Sequence, residues 1–208
     1  MYIHEKQFIQ AGRPVRDAKK AVVLLHGRGS SAQGILSLQR HLQLTNAAIF
    51  APQATNNAWY PKSFLAPVAH NQPALDSALS LVDQVVAEIA GFGIPHERLY
   101  FVGFSQGACL TLEYTARHAR RYGGIVAFTG GLIGETLTTG NYGGDFSATP
   151  VLITGGDTDP HVPLTRMEDS AATLQQLGAE VTLEIYPGKP HSISADETLL
   201  ANKRIFAD

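Results

Sequence analysis

A single cysteine, Cys109, leaves the chain unable to close an internal disulfide, which excludes a disulfide scaffold and gives no sign of an oxidising compartment. Charge of one sign is equally scarce. Sixteen basic side chains against eighteen acidic ones give a formal charge of −2, no global field with which to hold nucleic acid or an anionic membrane. No apolar run approaches membrane-spanning length, and Met1 to Gln7 place polar side chains where a signal peptide needs an apolar stretch. These absences point to a cytoplasmic protein acting on a small molecule, with neither nucleic acid nor an integral membrane association. No Pro- or Ser-rich stretch divides the 208 residues, and 44% hydrophobic content supports a sizeable core, so residues 1–208 are expected to form one domain.

What is present is an alternation of short apolar runs with longer segments of helical periodicity, the mark of a mostly parallel sheet covered by helices. The runs at 6–9, 21–25, 47–51, 99–102, 124–128, 151–154 and 182–186 are expected strands. A short polar loop joins the first to the second, which suggests an antiparallel edge. Helices are expected over 31–42, 73–90, 106–118, 164–177 and 195–205. In 73–90 the apolar residues Leu75, Leu79, Val82, Val86 and Ile89 fall on one stripe, while Asp76, Asp83 and Glu88 lie elsewhere. Parallel sheets gather reacting groups at the carboxyl ends of their strands, so the loops after Leu25, Val102, Thr154 and Tyr186 hold the candidate chemistry.

Gly103-Phe104-Ser105-Gln106-Gly107 fits G-x-S-x-G and lies between an apolar strand and a helical segment, the setting of a nucleophile elbow. A serine on such a turn needs an unusual backbone, and flanking glycines let strand and helix approach. Cys109, inside the following helix, reads as a buried, unreactive thiol. A serine hydroxyl also needs a histidine base and a carboxylate to orient it, and in this fold the order is Ser, Asp or Glu, then His. Two strand-end carboxylates follow, Asp157 and Asp159. Either could serve; Asp159 is favoured because Pro160 and Pro163 stiffen the loop beyond it, whereas Asp157 beside a glycine pair suits a local turn. His191, in the loop after the last strand, takes the place of the base. His161 and the other six histidines read as structural or exposed, none paired at metal-ligand spacing, so no metal is expected. The oxyanion donors are expected at the backbone N–H groups of Gln106 and Arg28, the latter in the glycine-rich loop His26-Gly27-Arg28-Gly29. His26 is expected to pin that loop by hydrogen bonds, and the Arg28 side chain to lie in solvent, with contact to an anionic acyl group at the pocket mouth as the alternative.

Together His26-Gly-Arg-Gly, Gly103-Phe-Ser-Gln-Gly-Ala, Gly156-Asp-Thr-Asp-Pro-His-Val-Pro and His191 resemble the phospholipase/carboxylesterase family, which includes the acyl-protein thioesterases, over nearly the whole chain. The resemblance implies an α/β-hydrolase fold and hydrolysis of carboxylic esters or thioesters through an acyl-serine, without a cofactor. It carries the triad to Ser105, Asp159 and His191 and the oxyanion donors to Arg28 and Gln106. Ala51-Pro-Gln-Ala with Trp59-Tyr60 resembles the family's substrate-side loop. Two departures, Arg28 where thioesterase members usually carry an apolar residue and Thr154 in place of a histidine, argue against protein depalmitoylation as the task. A specialised lactone or ester hydrolase of the dienelactone-hydrolase kind is the alternative enzyme. A catalytically silent binding protein on the same scaffold is the alternative outside enzymes.

Only about twenty residues separate 124–128 from 151–154, too few for a helical cap. The longer segment 52–72 carries Trp59, Tyr60, Phe64 and Leu65, either as apolar wall beside the nucleophile or as a loop packed on the core.

Overall fold

The computed structural model describes residues 3–207, and its frame is a seven-stranded sheet with the order β1-β3-β2-β4-β5-β6-β7. The strands are β1 (Phe8–Gly12), β2 (Lys20–Leu25), β3 (Ala47–Pro52), β4 (Leu99–Phe104), β5 (Gly124–Phe128), β6 (Pro150–Gly156) and β7 (Glu180–Tyr186). All neighbouring pairs are parallel except β1 with β3. The central strands read as unbroken apolar runs because helices cover both faces, and β2 shows how the residues divide. Ala21, Val23 and Leu25 enter one core, and Val22 and Leu24 the other.

On the first face lie α2 (Ala74–Gly91), α3 (Gln106–Arg117) and α4 (Leu164–Gln176); α1 (Ala32–Ile35) and α5 (Ala195–Arg204) cover the second. The stripe expected on α2 is the buried one, with Leu75, Leu79, Val82, Val86 and Ile89 against the sheet. α3 is buried from Gln106 to Ala116, packed against β4, β5 and β2 and beside α2.

Three local expectations are corrected. The antiparallel edge strand begins at Phe8 rather than at 6 and pairs with β3, not with β2, its neighbour in sequence. β2 instead lies between two parallel partners, β3 and β4, which leave it no free edge. The helix expected over 31–42 is only one turn of α-helix, continued by a 3-10 stretch from Leu36 to Arg40. Gly34 inside that turn weakens a longer helix. Between β5 and β6, the described residues contain only a three-residue 3-10 turn at Thr139–Asn141 and no helical cap.

From β2 the chain crosses to β3 on one side, and from β4 it crosses to β5 on the other. The order therefore switches between β2 and β4, where such a sheet opens a crevice at its carboxyl end. Leu25 pairs with Gly103 across that seam, bringing the loops after both strands together.

Candidate active site

Ser105 stands at the seam, between the last residue of β4 and the first of α3, with φ 53° and ψ −119°. A non-glycine residue there costs about 1–3 kcal/mol, so the surroundings must impose it. They do so through close packing. A Cβ on Gly103 would come within 2.3 Å of the Gly107 carbonyl oxygen, and one on Gly107 within 2.1 Å of the Leu25 carbonyl oxygen. Only glycine at both positions lets strand, turn and helix meet at this distance. The Ser105 N–H donates to the Phe128 carbonyl at 3.0 Å, and its hydroxyl caps nothing in α3.

The Ser105 hydroxyl meets His191 instead, with Oγ 2.8 Å from Nε2. His191 Nδ1 lies 2.7 Å from Asp159 Oδ2. The other oxygen, Asp159 Oδ1, accepts the backbone N–H groups of His161 at 2.8 Å and Val162 at 3.0 Å. Burial pushes the Asp159 carboxyl upward, but these two N–H groups and His191 outweigh it and hold the group below its ordinary range. Asp157 does a different task, accepting the Gly188 N–H at 2.7 Å and so tying the two loops together. His161 is exposed, as expected, and lines the cleft, with its ring centroid 4.9 Å from that of His191.

The Gln106 N–H opens α3 and has no acceptor within the helix, as at any helix start. Its side chain is fully used: Oε1 accepts the Trp59 N–H and Nε2 donates to the Tyr60 carbonyl, each at 2.8 Å. Arg28 is exposed, as expected, and its side chain is also tied to the neighbouring loop. Its Nη1 donates to Pro61 O at 3.1 Å, and its Nη2 to Tyr60 O at 2.9 Å and Lys62 O at 2.6 Å. His26 pins the same region, with Nδ1 2.8 Å from Gly27 O and Nε2 accepting the Ala54 N–H at 3.1 Å. Asn71, which sequence reasoning passed over, takes the Lys62 N–H at 2.8 Å and gives a hydrogen bond to Ser63 O at 2.9 Å.

These ties shape a cleft of about 420 Å³ over Ser105, lined on the loop side by Tyr60 to Phe64 and opposite by Val162 and His161. Of the four aromatic and aliphatic residues expected there, Tyr60 and Phe64 line it, whereas Trp59 and Leu65 do not. Trp59 is fully buried because its indole N–H donates to His26 O at 2.8 Å, which turns the ring under the loop. Leu65 packs against the core. Cys109 lies at the cleft floor, where burial pushes its thiol up to about 12, far from nucleophilic at neutral pH. Among the described residues no three His, Cys, Asp or Glu side chains converge as metal ligands, and no helix is long and apolar enough to cross a membrane.

Comparison with known proteins identifies the family. A probable carboxylesterase, SOBER1-like, of Arabidopsis thaliana is 31% identical over 198 residues, covering 86% of this chain and 75% of that protein. Acyl-protein thioesterase 1 of Eremothecium gossypii is 30% identical over 208 residues, 89% of this chain and 86% of its own. The crystal structure of a phospholipase/carboxylesterase from Dyadobacter fermentans superposes with a TM-score of 0.98 at 62% identity, covering 99% of both chains. Residues 4–205 match the phospholipase/carboxylesterase family, and the chain belongs to it as a hydrolase of the carboxylesterase type.

Proposed function

We propose that this hydrolase cleaves small carboxylic esters through an acyl-serine formed on Ser105, with His191 as base and Asp159 as its orienting acid. One observation carries the reading: the continuous contact from Ser105 Oγ to His191 Nε2 at 2.8 Å and from His191 Nδ1 to Asp159 Oδ2 at 2.7 Å. As Oγ attacks the ester carbonyl, Nε2 takes the hydroxyl proton. The Nδ1–H bond to Asp159 keeps the ring in the tautomer whose Nε2 lone pair faces the hydroxyl, and the carboxylate then stabilises the imidazolium.

The backbone N–H groups of Arg28 and Gln106 receive the oxyanion. Collapse of the tetrahedral intermediate expels the alcohol, which leaves with the proton from Nε2. Water, deprotonated by the same nitrogen, attacks the acyl-serine and releases the acid. A thioester can follow the same path with a thiol as leaving group. The acyl group lies along Tyr60, Phe64 and Val162, while Arg28 serves through its backbone and its grip on the loop. A silent binding protein would have no use for a serine held at φ 53° against a histidine. We place the reaction in the cytoplasm, where a lone thiol such as Cys109 stays reduced; fractionation of cells checks that placement.

The test is labelling by a fluorophosphonate, read by peptide mass spectrometry, together with turnover of p-nitrophenyl butyrate. Modification is expected at Ser105 and nowhere else, and Ser105→Ala is expected to lose both labelling and nearly all turnover. A Ser105→Ala protein that still hydrolyses the ester at the wild-type rate would rule out the acyl-serine.

A further inference from the structure

Lys189 sits two residues before His191 in the loop after β7, yet it is buried, with its side chain 6% exposed. Its ammonium lies 3.3 Å from Glu197 Oε2 on α5, a carboxylate with no exposed surface at all. Taking both charges out of water is costly, and a pair of this kind is weak evidence for stability by itself. Its remaining contacts give it another use. Nζ donates to Pro190 O at 3.3 Å and to Ser192 O, the carbonyls on either side of His191, and reaches Thr129 Oγ1 at 3.4 Å.

Glu197 is anchored in turn. It accepts the Thr154 hydroxyl at 2.6 Å, and the Ser194 N–H at 2.7 Å as part of the capping box that starts α5. The ammonium therefore joins the residue after β5, the carboxylate of α5 and, through that carboxylate, β6 to the two peptide groups that straddle His191. The backbone at Lys189 is also closely packed, since a Cβ on Gly156 would come within 2.4 Å of the Lys189 carbonyl oxygen.

We propose that Lys189, held by Glu197 and Thr154, is a positioning residue that sets the imidazole of His191 between Ser105 and Asp159. The inference rests on the triad reading above. Neither carboxylate nor ammonium touches the reacting atoms; they act through the two carbonyls. A misplacement of about 1 Å at a catalytic group costs on the order of 100-fold in rate, so loss of this strap should appear in turnover rather than in substrate binding.

The experiment compares Lys189→Met, and Lys189→Met combined with Glu197→Gln, with the wild type. The double variant leaves no unpaired buried charge and so keeps the test open if the single variant does not fold. With p-nitrophenyl butyrate, kcat is expected to fall about 10- to 100-fold in both, with KM within about twofold of wild type. The far-downfield proton resonance of His191 Nδ1–H in its bond to Asp159 is expected in the wild type and lost or shifted in both variants. A purely structural ion pair predicts the opposite. Recovery of wild-type kcat and of the resonance in the folded double variant overturns the proposal. Fluorophosphonate labelling of the wild type runs alongside: an unlabelled Ser105 overturns the triad reading and this one with it, whereas a labelled wild type with unimpaired variants overturns only the part given to Lys189.

Discussion

Gln106 and Tyr60 are joined by a 2.8 Å hydrogen bond from Nε2 to the Tyr60 carbonyl, so the residue that offers a backbone N–H to the candidate oxyanion also holds the wall of the cleft. The same side chain accepts the Trp59 N–H, and the Arg28 fork grips Tyr60, Pro61 and Lys62. Both proposed oxyanion donors thus belong to residues that clamp the loop facing the nucleophile. Gln106→Leu keeps the backbone N–H and removes the clamp. The Trp59 N–H is left unpaired, at a cost of about 1–3 kcal/mol, while the Tyr60 carbonyl keeps only its bond from Arg28. The expected outcome is faster amide hydrogen exchange across 59–62, a lower Tm and a reduced kcat/KM. Unchanged exchange in that loop would show that Arg28 holds it alone.

The two aspartates of the acid loop separate by partner. Asp159→Asn removes the carboxylate that fixes the His191 tautomer, and a loss of roughly 10⁴-fold in kcat is expected. Asp157→Asn keeps an oxygen for the Gly188 N–H and should cost at most about threefold. Steady-state kinetics of the two variants checks the assignment, and equal losses would contradict it.

Two buried histidines make folding sensitive to pH. His4 Nδ1 accepts the Thr55 N–H at 3.0 Å while Nε2 lies 2.9 Å from Trp59 O, and His26 likewise gives one hydrogen bond and takes one, so both rings are neutral. Burial lowers the pKa of each below the ordinary 6.5. The unfolded chain therefore binds protons first as pH falls. Stability should be complete above about pH 6.5 and decline below it, levelling once the folded rings also titrate. Calorimetry from about pH 7.5 to 5 is expected to show a falling Tm, with a shallower slope and a lower starting Tm in His26→Gln. A Tm independent of pH over that range would exclude this linkage.

Acyl-chain preference follows from the extent of the cleft. Each methylene that reaches apolar lining contributes about 0.8 kcal/mol, roughly fourfold in kcat/KM, and each one beyond it almost nothing. Tyr60, Phe64 and Val162 supply a short apolar stretch, bordered by exposed Lys62 and Ser63. In a series of monomeric p-nitrophenyl esters from acetyl to palmitoyl, kcat/KM is expected to rise and then level at short to medium length. A rise sustained to palmitoyl would mean that apolar surface continues past the described cleft.

Strand and elbow positions were legible because they depend on neighbours in sequence. A buried parallel strand must be apolar throughout, as β2 and β5 are, and an elbow serine must have glycine on both sides of its turn. Given a parallel sheet, the loops that follow its strands share one end, which is why Ser105, Asp159 and His191 could be gathered before any distance was known. The partner of an edge strand was not legible in this way. β1 pairs with β3 rather than with β2, since the sheet's order and not chain adjacency leaves that edge open.

Side-chain direction and burial depended still more on distant groups. Trp59 in a loop suits a cleft wall as well as the core, and the His26 carbonyl that takes its indole N–H decides for the core. For Lys189, between Gly188 and Pro190, nothing near it in sequence shows that Glu197 stands behind it. The chain by itself determined its strands, its elbow and the residue types able to perform the chemistry, since backbone preference and apolar patterning act over a few residues. Tertiary structure decided which aspartate faces His191, which aromatic residues border the cleft and that the exposed Arg28 side chain reaches three carbonyls of the facing loop. A hydrogen bond is settled by the partner brought within about 3 Å, and in each of these cases packing brings that partner from another part of the chain.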